Sequence, residues 1–259
     1  MQVRLLGPID ILVQGDSRPV HGLRRKAVLA ILALRCGEVV STDHLADAIW
    51  GDDAPPTSVN AMQSHVSYLR GILGTKTAIL TRPPGYMLDL PGDGTDVQQA
   101  ERLLREGTQS PNPLDAVRHL QDALALWRGQ PLAELVDRPW LAARAERLAM
   151  VRMQLRQALS EARLMAGDPV GAQDMLGGAL PRLTSTTARG RAQRLEGAIR
   201  FAQGNAAEAA RILASASQAL AGDDRMARDT MLMALQAAIW GDDVQPIGKK
   251  KVNLVCIFA

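Results

Sequence analysis

Between Ser58 and Leu73, apolar residues recur at alternating steps of three and four. Val59, Met62, Val66, Leu69 and Leu73 form one stripe, which predicts a helix with a single buried side. At about 100° per residue, the opposite side carries Asn60, Ser64, Ser67 and Tyr68, flanked by Gln63 and Arg70. That surface holds amide, hydroxyl, phenol and guanidinium groups and no carboxylate. Such groups can bond to base edges and touch phosphates without repelling them, although an ordinary solvated helix face would show the same pattern.

The preceding segments narrow the choice. Residues 3–6 and 9–13 are short β-prone runs broken by Gly7 and Pro8, and residues 14–19 read as a turn, which predicts a small antiparallel sheet. From Leu23 the period becomes helical, with Leu23, Ala27, Ala30, Ile31 and Leu34 on one side and Gly37 as the stop. Ser41 or Thr42 caps a second helix over 43–50 that closes at Gly51. Two helices joined by a short turn, the second with a polar uncharged outer face, form the pattern of a helix-turn-helix. Residues 78–81 and 86–90 flank Pro83-Pro84-Gly85 and predict a hairpin with Arg82 near its tip. A hairpin beside a recognition helix is a wing able to reach the minor groove.

Charge adds one feature. Arg24, Arg25 and Lys26 crowd the first turn of the first helix, where cations oppose the macrodipole unless an anion is near. A solvated charge run is the alternative. The net charge of +3 permits nucleic-acid binding without arguing for it. A hydrophobic content of 47% with 22% charged residues fits a soluble globular chain. Only 3% of residues are aromatic, so the alanine- and leucine-rich second half must build aliphatic helical cores. Cys36 and Cys256 make no metal spacing, and Cys36 reads as a small core residue of the first helix. No signal-peptide pattern and no bilayer-length apolar run is seen, so the expected location is cytoplasmic, at the nucleoid, without a membrane partner.

The segments RRKAVLAILAL, VVSTDHLADAIWGDDAPPTSVNAMQSHVSYLRGILG and LTRPPGYMLDL resemble the DNA-binding domain of the Streptomyces antibiotic regulatory proteins, an OmpR-type winged helix. The resemblance implies binding to double-stranded DNA at promoter direct repeats, by two protomers, with recruitment of RNA polymerase to activate genes of antibiotic or other secondary-metabolite biosynthesis. It places Asn60, Gln63, Ser64 and Ser67 in the major groove, His65, Tyr68 and Arg70 near phosphates, and Arg82 in the wing. Arg24, Arg25 and Lys26 join the phosphate set. The chain departs from the family where Ser67-Tyr68-Leu69-Arg70-Gly71 stands for a Ser-Arg-Leu-Arg-Arg run. Two cations are lost there, each part of the salt-dependent phosphate contribution.

Residues 91–95 read as a linker, and helices are predicted near 96–107, 113–128, 139–166, 169–180, 188–203, 205–221 and 224–240. Gly167-Asp168, Ala172 and Leu176 recur as Gly204-Asn205, Ala209 and Leu213, an offset of 37, with a third copy suggested by Asp115-Ala116, Leu120 and Leu124. Tetratricopeptide-like repeats stack in this way at a period of about 34. ALALWRGQPLAELVDRPWLAARAERL resembles the bacterial transcriptional activation domain, with the likeness fading after Met175. AIWGDD occurs twice, at 48–53 and 238–243, and reads as a repeated helix stop.

The expected architecture is therefore mainly α with small β. Residues 1–90 form a winged helix-turn-helix, residues 96–240 a tetratricopeptide-like all-α domain, and residues 241–259 a poorly ordered tail. No phosphate-binding Gly-rich loop, nucleophile elbow or metal spacing is present, so neither an enzymatic role nor a cofactor is expected. The competing expectation is an interaction scaffold whose winged helix no longer binds DNA.

Overall fold

The computed structural model describes residues 1–51, 55–75, 78–177 and 185–242. They form two compact units, one from Met1–Arg105 and Asp122–Arg152, the other from Glu106–Gln121 and the described residues from Met153 onward.

The first unit opens with β1 (Gln2–Arg4), β2 (Asp10–Val13) and β3 (Asp16–Pro19), an antiparallel sheet in that order. Val3 pairs with Ile11, and Leu12 with Ser17. Val3, Leu5, Leu6 and Ile11 are wholly buried. β3 corrects the expectation of a turn over 14–19: only Gln14 and Gly15 turn, at φ 53° and 93°, and the chain behind them pairs with β2. Next comes α1 (Leu23–Leu34), with Ala27 through Ala33 all buried. A run buried on every side makes α1 the central helix rather than an amphipathic one. Leu23, expected on its core face, is exposed. Cys36 lies in the turn after the helix and is half-buried.

β4 (Val39–Ser41) was not foreseen. It pairs with β6 (Gly85–Leu88), which pairs in turn with β5 (Ile79–Arg82), giving the order β4-β6-β5. Gly85 serves this sheet rather than the turn. A Cβ there would lie 1.8 Å from the Val40 carbonyl oxygen, so only glycine lets β4 approach. Thr42 completes the join by donating its N–H and Oγ1 to the Pro84 carbonyl at 3.1 and 3.2 Å.

Between the strands run α2 (Thr42–Trp50) and α3 (Ser58–Leu73). Ser41 caps α2, its hydroxyl accepting from the His44 N–H at 3.1 Å. Gly74 closes α3 in the left-handed region at φ 73°.

The segment expected to be a linker is hydrogen-bonded to the first strand. Val3 N–H donates to the Gly94 carbonyl at 2.9 Å, Thr95 caps α4 (Asp96–Gln109), and Asp93 pairs with Arg102 at 2.7 Å. Asp96 is 1% exposed. Its carboxyl accepts from the Leu5 and Leu6 N–H groups at 2.8–2.9 Å. Burial pushes it up to about 6, against the pull of those N–H groups and of Arg128.

The helices continue as α5 (Pro113–Ala125), α6 (Pro139–Met165), α7 (Pro169–Gly177), α8 (Thr186–Ala202), α9 (Ala206–Ala219) and α10 (Asp224–Asp242). α4, α5 and α6 each contribute residues to both units. In the second unit, Leu164, Ala172, Leu176, Leu195, Ile199, Leu213 and Met233 share one core. Gly197 admits α9 closely, since a Cβ there would meet Leu213 at 2.5 Å.

The offset of 37 is visible in the backbone. Gly167 and Gly204 sit at φ 82° and 87°. Asp168 N–H donates to the Arg163 carbonyl, and Asn205 N–H to the Arg200 carbonyl, both at 2.9 Å. In the third copy the equivalent turn residue is Asn112, not Asp115: Ala116 N–H donates to its carbonyl at 3.0 Å as Ala172 and Ala209 do to Asp168 and Asn205.

Glu161 is half-buried and accepts from Gln157 at 3.2 Å. The two AIWGDD copies differ. Gly51 ends α2 at φ 59°, whereas α10 runs on through Gly241 to Asp242, so the hexapeptide is not in itself a stop. Residues 178–180 of the expected seventh helix segment and the tail beyond 242 lie outside the described residues.

Candidate nucleic-acid interface

α3 is fixed by its apolar stripe. Met62, Val66, Leu69 and Leu73 are at most 2% exposed, worth about 1.5–3 kcal/mol each in removed apolar surface. Val59, expected in that stripe, is exposed in the helix's first turn. The far end of α3 is held by Arg18, whose guanidinium donates to the Ile72 carbonyl at 3.0 Å.

With the stripe buried, Asn60, Gln63, Ser64 and Ser67 stand exposed together on the outer face. Arg82 is exposed at the end of β5, where it pairs with Gly85 across the Pro83-Pro84 turn. This face meets the geometric requirement for direct base reading: amide and hydroxyl groups on one side of a supported helix, with a cation on the adjoining ribbon.

The remaining expected contacts are placed differently. Arg25 lies 3.8 Å above the Tyr68 ring, and the Tyr68 hydroxyl accepts from the His21 N–H at 3.4 Å. Both are half-buried, and this cation–π pair ties α1 to α3. Arg24 is exposed, 5.9 Å above Trp50.

Three residues are engaged inside the unit. Lys26 forms an ion pair with Glu134. His65 stacks on Trp50 at 6.3 Å and 19°. Both its ring nitrogens are buried without a hydrogen-bond partner among the described residues. Burial, then Arg25 and Arg24, lower its basicity and so disfavour its cationic form. Arg70 donates to the Ile79 carbonyl at 2.9 and 2.7 Å and to Thr81 Oγ1 at 2.9 Å. It joins α3 to the wing.

A strap missed by sequence reasoning runs from the 3-10 turn Ala133–Leu135 to Trp140. Glu134 meets Lys26 on α1, Arg138 donates to the Ile49 carbonyl at the end of α2, and Trp140 meets His44 of α2 edge-on at 5.5 Å. Arg138 there satisfies a carbonyl that the helix end leaves open. No local sequence pattern announces these contacts, because the Lys26–Glu134 pair is 108 residues apart.

The known proteins agree with this architecture. Residues 95–239 match the bacterial transcriptional activator domain, and residues 22–88 match the C-terminal domain of transcriptional regulatory proteins. The regulatory protein DnrI of Streptomyces peucetius is 31% identical over 202 residues, covering 73% of this chain and 72% of that protein. The chain belongs to the Streptomyces antibiotic regulatory protein family. Family members are transcriptional regulators rather than enzymes, and this one carries the family's DNA-binding and activator domains.

The transcriptional regulator RedD of Streptomyces coelicolor is 27% identical over 143 residues, 52% of this chain and 41% of that protein. EmbR of Mycobacterium tuberculosis is 31% identical over 172 residues, 63% of this chain and 44% of that protein. The chain thus spans less than half the length of these two relatives. The structure of EmbR in complex with a low-affinity phosphopeptide superposes with a TM-score of 0.79, covering 95% of this chain and 66% of that one at 23% identity, a likeness of fold.

The activator-domain match reaches residue 239. It corrects the expectation that the module fades after Met175. Among the described residues, no helix is long and apolar enough to cross a membrane, and no cluster of His, Cys, Asp and Glu could hold a metal ion.

Proposed function

We propose that the regulator reads promoter direct repeats as two protomers side by side, each laying the outer face of α3 in a major groove and the wing in the adjoining minor groove. Asn60, Gln63, Ser64 and Ser67 read bases. Arg82 and Arg24 hold phosphates, while Arg25, Lys26, His65, Tyr68 and Arg70 orient α3, α1 and the wing. The helical repeats then present a surface to RNA polymerase, raising transcription of secondary-metabolite genes, with the protein acting in the cytoplasm at the nucleoid.

The observation that carries this reading is the exposed, carboxylate-free face of α3 beside an exposed wing arginine. Selection of bound duplexes from a random pool tests it. Recovered sites should contain two copies of one short motif in the same orientation, spaced by about one helical turn, roughly 10–10.5 bp centre to centre. Changing that spacing by half a turn should abolish joint occupancy. Recovery of inverted repeats, or of no shared motif, would overturn the proposal.

A further inference from the structure

Within the first unit, the end of α1, the turn after it, the start of α4 and the first half of α6 enclose a cavity of about 280 Å³. It shares no residue with the outer face of α3 or with the wing. Three arginines line it, Arg35, Arg144 and Arg147. Arg35 and Arg144 stand over the same Trp140 ring, at 5.8 and 4.9 Å. None of the three has a carboxylate within ion-pair distance among the described residues.

Like charges gathered at one opening raise the local potential and draw an anion. His44, edge-on to the same Trp140, registers that field: after burial, Arg35 and Arg144 are among the groups that hold its basicity down, against Asp47.

The rest of the lining defines the anion. Glu38 and Glu101 also line the cavity, so three arginines less two glutamates leave a net charge of +1. A single negative charge is balanced there; a polyanion is not. Leu34, Val97, Leu148 and Val151 supply the apolar part of a lining that is otherwise mainly polar. The volume, about 280 Å³, lies just below the range for small-molecule sites, about 300–1,000 Å³.

We propose that this cavity binds a small organic monocarboxylate, its head group held by Arg35, Arg144 and Arg147 and its apolar end against Leu148 and Val151. A carboxylate accepts from guanidinium in the paired geometry that arginine favours.

Calorimetric titration of the full chain tests the proposal. Octanoate is the probe, 1-octanol its uncharged match, and inorganic phosphate the charge without a chain. The proposal expects saturable binding of one octanoate, with neither of the other two saturating over the same range. Arg147 is exposed, so Arg147→Glu should keep the fold, verified by an unchanged circular dichroism spectrum, while weakening octanoate at least tenfold. Arg144→Gln should do the same. Failure of octanoate to saturate, equal affinity in Arg147→Glu and the parent, or phosphate binding as tightly as octanoate would each overturn it.

Discussion

Replacing Arg70 with alanine separates a tether from a phosphate contact. Its guanidinium makes three hydrogen bonds to the wing strand, two of them sharing the Ile79 carbonyl. A charge-assisted bond contributes about 1.5–3 kcal/mol when buried. The shared acceptor and the half-exposed side chain reduce the set to about 1–2 kcal/mol in all. If that energy holds the wing in its binding position, Arg70→Ala should weaken DNA binding by roughly 5- to 30-fold, for any sequence. It should do so without altering the salt dependence, because no phosphate loses its partner. A phosphate contact would instead lower the slope of log K against log salt by about 0.9. Gel-shift titrations across roughly 50–200 mM salt distinguish the two, with Arg82→Ala as the internal standard expected to lose about 0.9 of slope. A slope that falls in Arg70→Ala as it does in Arg82→Ala would refute the tether.

Gln63→Ala should relax base preference at one position of the half-site by about 1–3 kcal/mol, read by competition with single-base operator variants; uniform weakening would exclude a base contact. Met62→Ala empties a wholly buried site and should cost about 2–5 kcal/mol in denaturant unfolding, while a loss below about 1 kcal/mol would mean that α3 is not anchored there. Asp96 yields a pH prediction. Its folded-state carboxyl is raised to about 6 from an ordinary value of 3.8, so its contribution to stability is complete below about pH 4 and is lost as pH rises through about 6. The stability of the parent relative to the non-titrating Asp96→Asn should therefore fall by about 2–3 kcal/mol between about pH 4 and 7. A difference that rises with pH would show that the Leu5 and Leu6 N–H groups stabilise the ionised form more than burial opposes it.

The helices were legible where apolar residues kept a three-four rhythm, as in Met62, Val66, Leu69 and Leu73. The repeat turns were legible because glycine followed by Asp or Asn marks a left-handed cap. β3 and β4 were not. Asp16-Ser17-Arg18-Pro19 has the composition of a turn, and three residues at Val39–Ser41 are too few to show alternation. Both become strands because a neighbour supplies the pairing. The outer face of α3 was read correctly as polar and exposed at Asn60, Gln63, Ser64 and Ser67. What could not be read was which nearby cations were already engaged: Lys26 with Glu134 and Arg25 with Tyr68 are long-range pairs, and Arg70 bonds to Ile79 and Thr81 of the wing strand, all set by tertiary packing.

The most direct test is the ratio of affinities for a selected operator and for random duplex, measured at one salt concentration in a variant carrying Asn60→Ala, Gln63→Ala, Ser64→Ala and Ser67→Ala together. With the stripe beneath them untouched, the fold and the salt-sensitive binding to random DNA should remain, while the ratio collapses towards one. A variant that still prefers the operator as strongly as the parent would contradict the claim that this face of α3 reads the sequence.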